Sequence, residues 1–438
     1  MTTAPALRTE TREELVSLLY QAAELEHGLC CSYLFASFSC KQEEDEGLST
    51  DQVGAVTRWR KAVKQVAEEE MLHLALVSNL LAAVGAAPHL RRPDFPQASP
   101  YYPAGITIDL HRLDDVSLTR FVYLERPEDV EVEDAIAFDA QVDLEPEVPV
   151  AAPGALQAPD DGGEEVPDAS SFATVGHLYQ AIEDGFEHLV EQRGERNVFI
   201  GAPGAQATED YFHFPELVAV TDLSSARRAL GVLVMQGEGV RGNWTEAHYG
   251  TFLGIRDELR AAVAADPDFD PARAVMANPL TGTLPGVDGD RVVDDPMTVG
   301  VMDLFDNAYE LMTAMLLRFF AQTDESEQEL QVLVRTAVAV MADVIDPLGK
   351  LLTAMPAGPS HPGFTAGPSF AFHRSVTLVP HRRAAWLIFH ERLVELAGYA
   401  ESLTDQGAPG AVGEVCKALV DAGAQLKPHL DRPPLLQA

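Results

Sequence analysis

The 438-residue chain has four cysteines, Cys30, Cys31, Cys40 and Cys416, and no C-x-x-C spacing, which excludes a disulfide scaffold and argues against a thiolate zinc site. Basic residues are scarce. There are 31 Lys and Arg against 68 Asp and Glu, a formal net charge of −37. Nucleic acid and an anionic membrane both need a basic face, so neither is expected as a partner. No uninterrupted apolar run approaches the ~18 residues of a membrane span. The opening MTTAPALRTETREEL has no basic segment leading into an apolar one, so no leader is expected and a cytoplasmic location fits best. Strand signals are sparse, confined to Ile106–Leu110 and Phe121–Leu124. What remains is a chain with 46 % hydrophobic and 23 % charged residues, enough to bury a large core.

The pattern is helical. Thr11 and Glu14 form a capping box, after which apolar residues recur at helical spacing from Leu15 to Leu34, ending near Cys40. A second helix is predicted over 51–84, stopped by Gly85 and Pro88. Residues 88–105 carry five prolines and read as a loop. Residues 125–168 hold fifteen acids against the single base Arg126 and read as a surface excursion. A third helix is predicted over 174–193. A fourth begins near Ser224, capped by Thr221 or Ser225, and continues through Gly237 to about Ala265. After a Pro, Gly and Asp-rich connection (266–298), helices are predicted over 299–322, 326–355, 380–404 and 409–426. The chain is all-α, with one bundle over 12–265 and a helical region over 299–428.

The chemistry lies in acids and imidazoles on apolar helix faces. Glu26 follows Ala22 by four residues and precedes Leu29 by three, so it faces the core. Glu70 lies on the stripe of Val63, Val66, Ala67, Leu74 and Val77, and His73 is one turn further on. Glu68 and Glu69 point further round. Glu183 falls within the stripe of Tyr179, Ile182, Phe186 and Leu189, with Glu187 at its edge. Glu238 follows Leu233, Val234 and Gly237, and His248 follows ten residues later, with Glu246 as a weaker alternative to Glu238. Buried carboxylates are costly unless cations neutralise them. Di-iron and di-manganese bundles use one Glu from each of two helices and Glu-x-x-His from each of the other two. Oxygen and imidazole donors suit iron or manganese. The expected ligands are Glu26, Glu70, His73, Glu183, Glu238 and His248, binding two irons or manganese. The ten-residue spacing of the last pair requires an insertion, bulge or helix break. Tyr179 and Tyr249, each near a ligand, are candidates for substrate contact or electron transfer, with Trp244 and Phe252 as pocket walls.

The same residues carry a resemblance. AAELEHGLCCSYLFASFSCK, VKQVAEEEMLHLALVSNLLAAVGAAPHL, GHLYQAIEDGF and VMQGEGVRGNWTEAHYGTF resemble the ferritin-like domain family, which includes iminophenyl-pyruvate dimer synthases and chromopyrrolate-type synthases of bisindole pathways. The resemblance covers roughly 12–260, with an echo in HPGFTAGPSF. It implies a ferritin-like four-helix bundle with long insertions, non-haem iron at the six positions above, and a small-molecule substrate oxidised with O₂ or peroxide in secondary metabolism. Oxidative coupling of amino-acid-derived imines and metal binding without turnover are the alternatives. Homodimerisation is left open. QAAELEHGLCCSYLFA is similar to DNAYELMTAMLLRFFA, which places Met312 near the Glu26 position. The C-terminal helices then read as a degenerate second bundle with its ligands lost.

Overall fold

The computed structural model describes residues 9–98, 107–127, 130, 174–202, 204, 206–239, 244–282, 289–322, 324–374 and 377–430. Helix α1, Arg12–Ser39, starts at Thr11, whose side chain accepts from the Glu14 N–H while the Glu14 carboxylate takes the Thr11 N–H at 2.9 Å. From Leu25 to Ser39 every residue of α1 is buried, so α1 is the central rod of the fold. Helix α2, Thr50–Ala83, is capped by the Ser49–Gln52 box and packs along α1. It ends at Gly85, where φ is +79°, a conformation open to glycine at little cost.

Helix α3, Asp115–Leu124, is capped by Asp114. Phe121–Leu124 is therefore its last turn and not a strand. The other expected strand shrinks to Thr107–Ile108, paired antiparallel with Gln97–Ala98; Ile106 lies outside the described residues. The acidic excursion also lies outside them from 131 to 168, but its first residue, Glu125, is buried at the end of α3. Of the proline-rich loop, 99–105 lies outside as well.

Helix α4, Val175–Arg193, is capped by Thr174, and α5, Leu223–Gly237, by Asp222. The expected fourth helix is thus two. It stops at Gly239, where φ is +85°, and restarts as α6, His248–Ala265. Asp222 outcompetes the expected Thr221 and Ser225 caps because its carboxylate accepts the Ser225 N–H at 2.7 Å. α1, α2, α4 and α5 form the bundle, while α3 and α6 pack on each other and α6 also meets α2.

Four further helices pack mutually: α7, Pro296–Ala321; α8, Glu327–Val340; α10, Arg382–Asp405; and α11, Gly410–Leu426. Between α8 and α9, Asp346–Leu352, the backbone widens into a π turn over Met341–Ile345. The expected helix over 326–355 is helical from Glu327 to Leu352, with the π turn inside the run just ahead of Pro347, which has no N–H to return to the preceding turn. The two helical layers join where α7 meets α2 and α9 meets α1. Among the described residues, no helix is long and apolar enough to cross a membrane.

Candidate metal centre

Five side chains converge inside the bundle. α1 supplies Glu26, α2 supplies Glu70 and His73, the end of α3 supplies Glu125, and the first residue of α6 is His248. All are at most 4 % exposed. His73 Nδ1 lies 2.8 Å from Glu70 Oε2 and 3.3 Å from Glu26 Oε2. His248 Nδ1 lies 3.0 Å from Glu70 Oε1 and 3.7 Å from Glu125 Oε2. The donors fall into two triads, Glu26–Glu70–His73 and Glu70–Glu125–His248, each with one donor atom per residue, all within 4.8 Å of one another. Glu70 belongs to both.

A surrounding layer orients these groups. His73 donates its Nε2–H to Gln236 Oε1 at 3.0 Å, and His248 donates its Nε2–H to Glu69 at 2.9 Å. Once Nδ1 gives up its proton, those contacts leave each imidazole with its Nδ1 lone pair turned inward, as a metal ligand requires. The Tyr179 hydroxyl donates to Glu26 Oε1, and that of Tyr33 donates to Glu125 Oε1 at 2.5 Å. Each outer carboxylate thus has a phenol fixing one oxygen.

The cluster competes strongly for positive charge. Burial, and then the charge of Glu70, pushes the Glu26 carboxyl up to about 8. Burial would also raise Glu70, but the His73 and His248 charges outweigh it and hold Glu70 well below the usual carboxylate range. Burial works against a charged His73, yet Glu70 and Glu26 lift it to about 10. His248 is raised well above its ordinary value by Glu70, Glu125 and Glu69, again against burial.

The residues fit a pair of hard divalent cations. The donors are carboxylate oxygen and imidazole nitrogen only. Glu70 Oε1 and His248 Nδ1 face each other at 3.0 Å without the alignment of a hydrogen bond, two buried polar atoms aimed at common space. Three carboxylates and two neutral imidazoles match two divalent charges far better than they match an apolar core.

The other expected ligands are placed differently. Glu238 follows α5 and lines the same small cavity as Glu26, Glu70, His73 and Glu125, but it stands outside both triads. Its Oε1 accepts the Gly176 N–H at 2.8 Å, and a Cβ on Gly176 would lie 2.2 Å from that oxygen. Glu183 is not brought to the cluster. Tyr179, one turn earlier on α4, takes the inward position, while the half-exposed Glu183 carboxylate lies 3.5 Å from Arg227 Nε. Glu187 also pairs with Arg227, and Glu246 is exposed. Tyr249 is buried against Trp244, and Phe252 packs between Tyr33 and Phe121. Glu125 is the residue that the sequence reading passed over. The stripe Leu118, Phe121, Val122, Glu125 has the spacing that identified Glu26.

A second space opens above the cluster between α4 and α5. This pocket of about 380 Å³ is lined by Tyr179, Leu230, Val234, Met235 and Trp244, with Glu183 and Glu238 at its polar side. Gly176, Tyr179, Val234 and Glu238 line both it and the small cavity at the cluster.

A ferritin-like family profile matches residues 19–257, a span that contains every member of both triads. The chain is 28 % identical over 421 residues to dichlorochromopyrrolate synthase of Lentzea aerocolonigenes, across 86 % of this chain and 38 % of that protein. It is 26 % identical over 381 residues to 2-imino-3-(indol-3-yl)propanoate dimerase of Chromobacterium violaceum, across 82 % of this chain and 34 % of that protein. The chain therefore spans little more than a third of the length of either relative. A solved ferritin-like protein from Caulobacter vibrioides aligns with a TM-score of 0.45 at 18 % identity, covering 75 % of this chain and 96 % of that one. By the match over 19–257, the chain belongs to the ferritin-like family.

Proposed function

We propose that this protein is a non-haem di-iron, or iron–manganese, oxidoreductase that uses O₂ or peroxide on a small organic substrate in secondary metabolism. The observation that carries the reading is Glu70, with one oxygen toward each triad. Glu26 and His73 would hold one metal, Glu125 and His248 the other, and Glu70 both. Glu238 borders the cluster at the substrate side, close enough to serve as a further ligand after a side-chain rotation. Glu183 serves at the pocket mouth instead. Bound iron would supply the electrons that activate the oxidant.

The chain's own residues do the rest. Gln236 and Glu69 fix the imidazole tautomers. The Tyr179 hydroxyl holds Glu26 in orientation while its ring walls the pocket, so Tyr179 touches both substrate space and a triad carboxylate. Leu230, Val234 and Trp244 form an apolar wall that favours an aromatic or aliphatic substrate body, with the exposed Met235 at its rim. Tyr249, behind Trp244, supports that wall rather than meeting the cluster.

Oxidative coupling of amino-acid-derived imines is the narrower reading, supported by the names of the two relatives and by a pocket large enough for an aromatic side chain. Division of the chain into a metal-binding bundle over 12–265 and a degenerate second bundle over 299–428 accompanies the proposal. In its support, both triads fall in the first region among the described residues. The test is O₂ consumption by the iron-loaded protein with a panel of aromatic amino-acid-derived imines and simpler aromatic amines. Uptake that depends on a substrate and is lost in Tyr179→Ala supports the oxidase. Iron binding with no substrate-dependent uptake supports metal handling without turnover.

A further inference from the structure

Part-way round α1 from the metal-facing residues lies a chamber of about 250 Å³ that shares none of its lining residues with the pocket over the metal centre. Its walls are almost wholly apolar: Leu34 and Phe38 of α1, Leu74 of α2, Met312 and Leu316 of α7, and Ile345 of the π turn. Met71, Leu74 and Met341 are only half buried in it, and Val338 at the rim is exposed. At the mouth Lys64 pairs with Asp346 at 2.9 Å. At the floor the Tyr309 hydroxyl meets His27 Nε2 and the Cys31 thiol, the latter at 3.1 Å.

Three independent features mark this space as built for an occupant. Protein interiors pack densely, and an apolar space this large stands out against the surrounding core. The backbone departs from α-helix where it lines the chamber, and π turns recur at functional sites. The otherwise greasy wall ends in a small polar floor where Tyr309 meets His27 and Cys31, the pattern by which apolar pockets orient a ligand. A cavity of about 150 Å³ already takes benzene, so this one suits one or two fused rings. The buried Arg92 guanidinium lies close to the floor, 5.9 Å from the Tyr309 ring centroid, and disfavours a cationic ligand. The Tyr309 hydroxyl carries one proton and two acceptor lone pairs, so a ligand donor can meet its oxygen in competition with the Cys31 thiol and the Arg92 guanidinium.

We propose that this chamber is a second ligand site, for a neutral one- or two-ring aromatic molecule bearing a single O–H or N–H donor that meets Tyr309. It is separate from the pocket over the metal centre and does not rest on the oxidoreductase reading.

The test uses the full chain and 1-naphthol, followed by the fluorescence of the probe. Met235→Trp first fills the pocket over the metal centre, so that binding there is removed. Saturable binding at one probe per chain should persist in Met235→Trp, with and without iron. Adding Met312→Trp, which fills the chamber, should weaken it at least tenfold. Where circular dichroism shows that this second substitution disturbs the fold, Leu316→Phe replaces it with the same expectation. Absence of saturable binding in Met235→Trp overturns the proposal. So does unchanged binding after the chamber is filled in a folded variant, or one probe per two chains, which would place the probe between copies.

Discussion

Glu70 and His248 meet at 3.0 Å although His248 re-enters the fold only after the chain breaks between α5 and α6, and that contact joins the Glu70–His73 motif to a second group of donors that could hold a metal. His73 takes the other oxygen of the same carboxylate at 2.8 Å. A carboxylate so placed can bridge, and its two neighbours then define the two halves of the site.

The halves should therefore come apart separately. His73→Ala should lose about one metal per chain, and His248→Ala or Glu125→Ala should lose the other. Glu183→Ala should leave the content unchanged, because its carboxylate lies with Arg227. Elemental analysis after anaerobic loading reads this. Loss of metal in Glu183→Ala, with Glu125→Ala unaffected, would restore the sequence-based ligand set.

Metal binding should release protons and tighten as pH rises. Glu26 is pushed up to about 8, and His73 to about 10, so both hold protons at neutral pH that a cation must displace. Raised values favour the protonated form, so affinity falls as pH falls and climbs from pH 6 toward pH 8. Titration calorimetry in two buffers of different ionisation enthalpy measures the protons released. An affinity independent of pH over that range would contradict the assignment. At a metal concentration 100 times Kd, the folded state should gain about 2.7 kcal/mol, seen as a higher Tm.

How much of this the sequence disclosed depended on which helix face carried the residue. Glu26, Glu70 and His73 sit on long apolar stripes, so period alone turned them inward. Glu125 ends a ten-residue helix and opens an acidic run, and the run masked the stripe behind it. Glu183 shares its stripe with Tyr179, and a one-turn offset decided which of them reaches the cluster. His248 was legible as a donor, and of the insertion, bulge or helix break that its spacing left open, the break is what occurs: the chain leaves α5 at Gly239 and re-enters as a new helix. The π turn that does occur lies at Met341–Ile345, before Pro347.

Gly176→Ala should disturb the edge of the site more than its size suggests. The new Cβ would stand 2.2 Å from Glu238 Oε1, so either the carboxylate or the start of α4 must move. A loss of about 1–3 kcal/mol in denaturant unfolding is expected. Gly176→Ala with Glu238→Ala should recover most of it. No recovery would mean that the strain lies in the helix start itself.

The C-terminal layer has its own weak point. The Arg318 side chain is 1 % exposed and pairs at 2.6 Å with the Glu325 carboxylate, whose side chain is fully buried. Arg318→Ala takes the guanidinium from that buried carboxylate and should cost about 3–5 kcal/mol. Replacing the pair together, Arg318→Met with Glu325→Leu, should cost less. Urea unfolding of the three proteins decides it, and equal losses in single and double variants would show that the pair does not act as a unit.

Iron content of the anaerobically loaded Glu70→Gln variant, compared with the unaltered chain, bears on the shared carboxylate with the fewest intermediate assumptions. The substitution keeps the size of the side chain, but an amide cannot bridge as an anion. The unaltered chain should hold about two irons and the variant close to none, while His73→Ala keeps about one. A Glu70→Gln protein that retains one iron or more, or an unaltered chain that binds none, would contradict the two-metal centre built on Glu70.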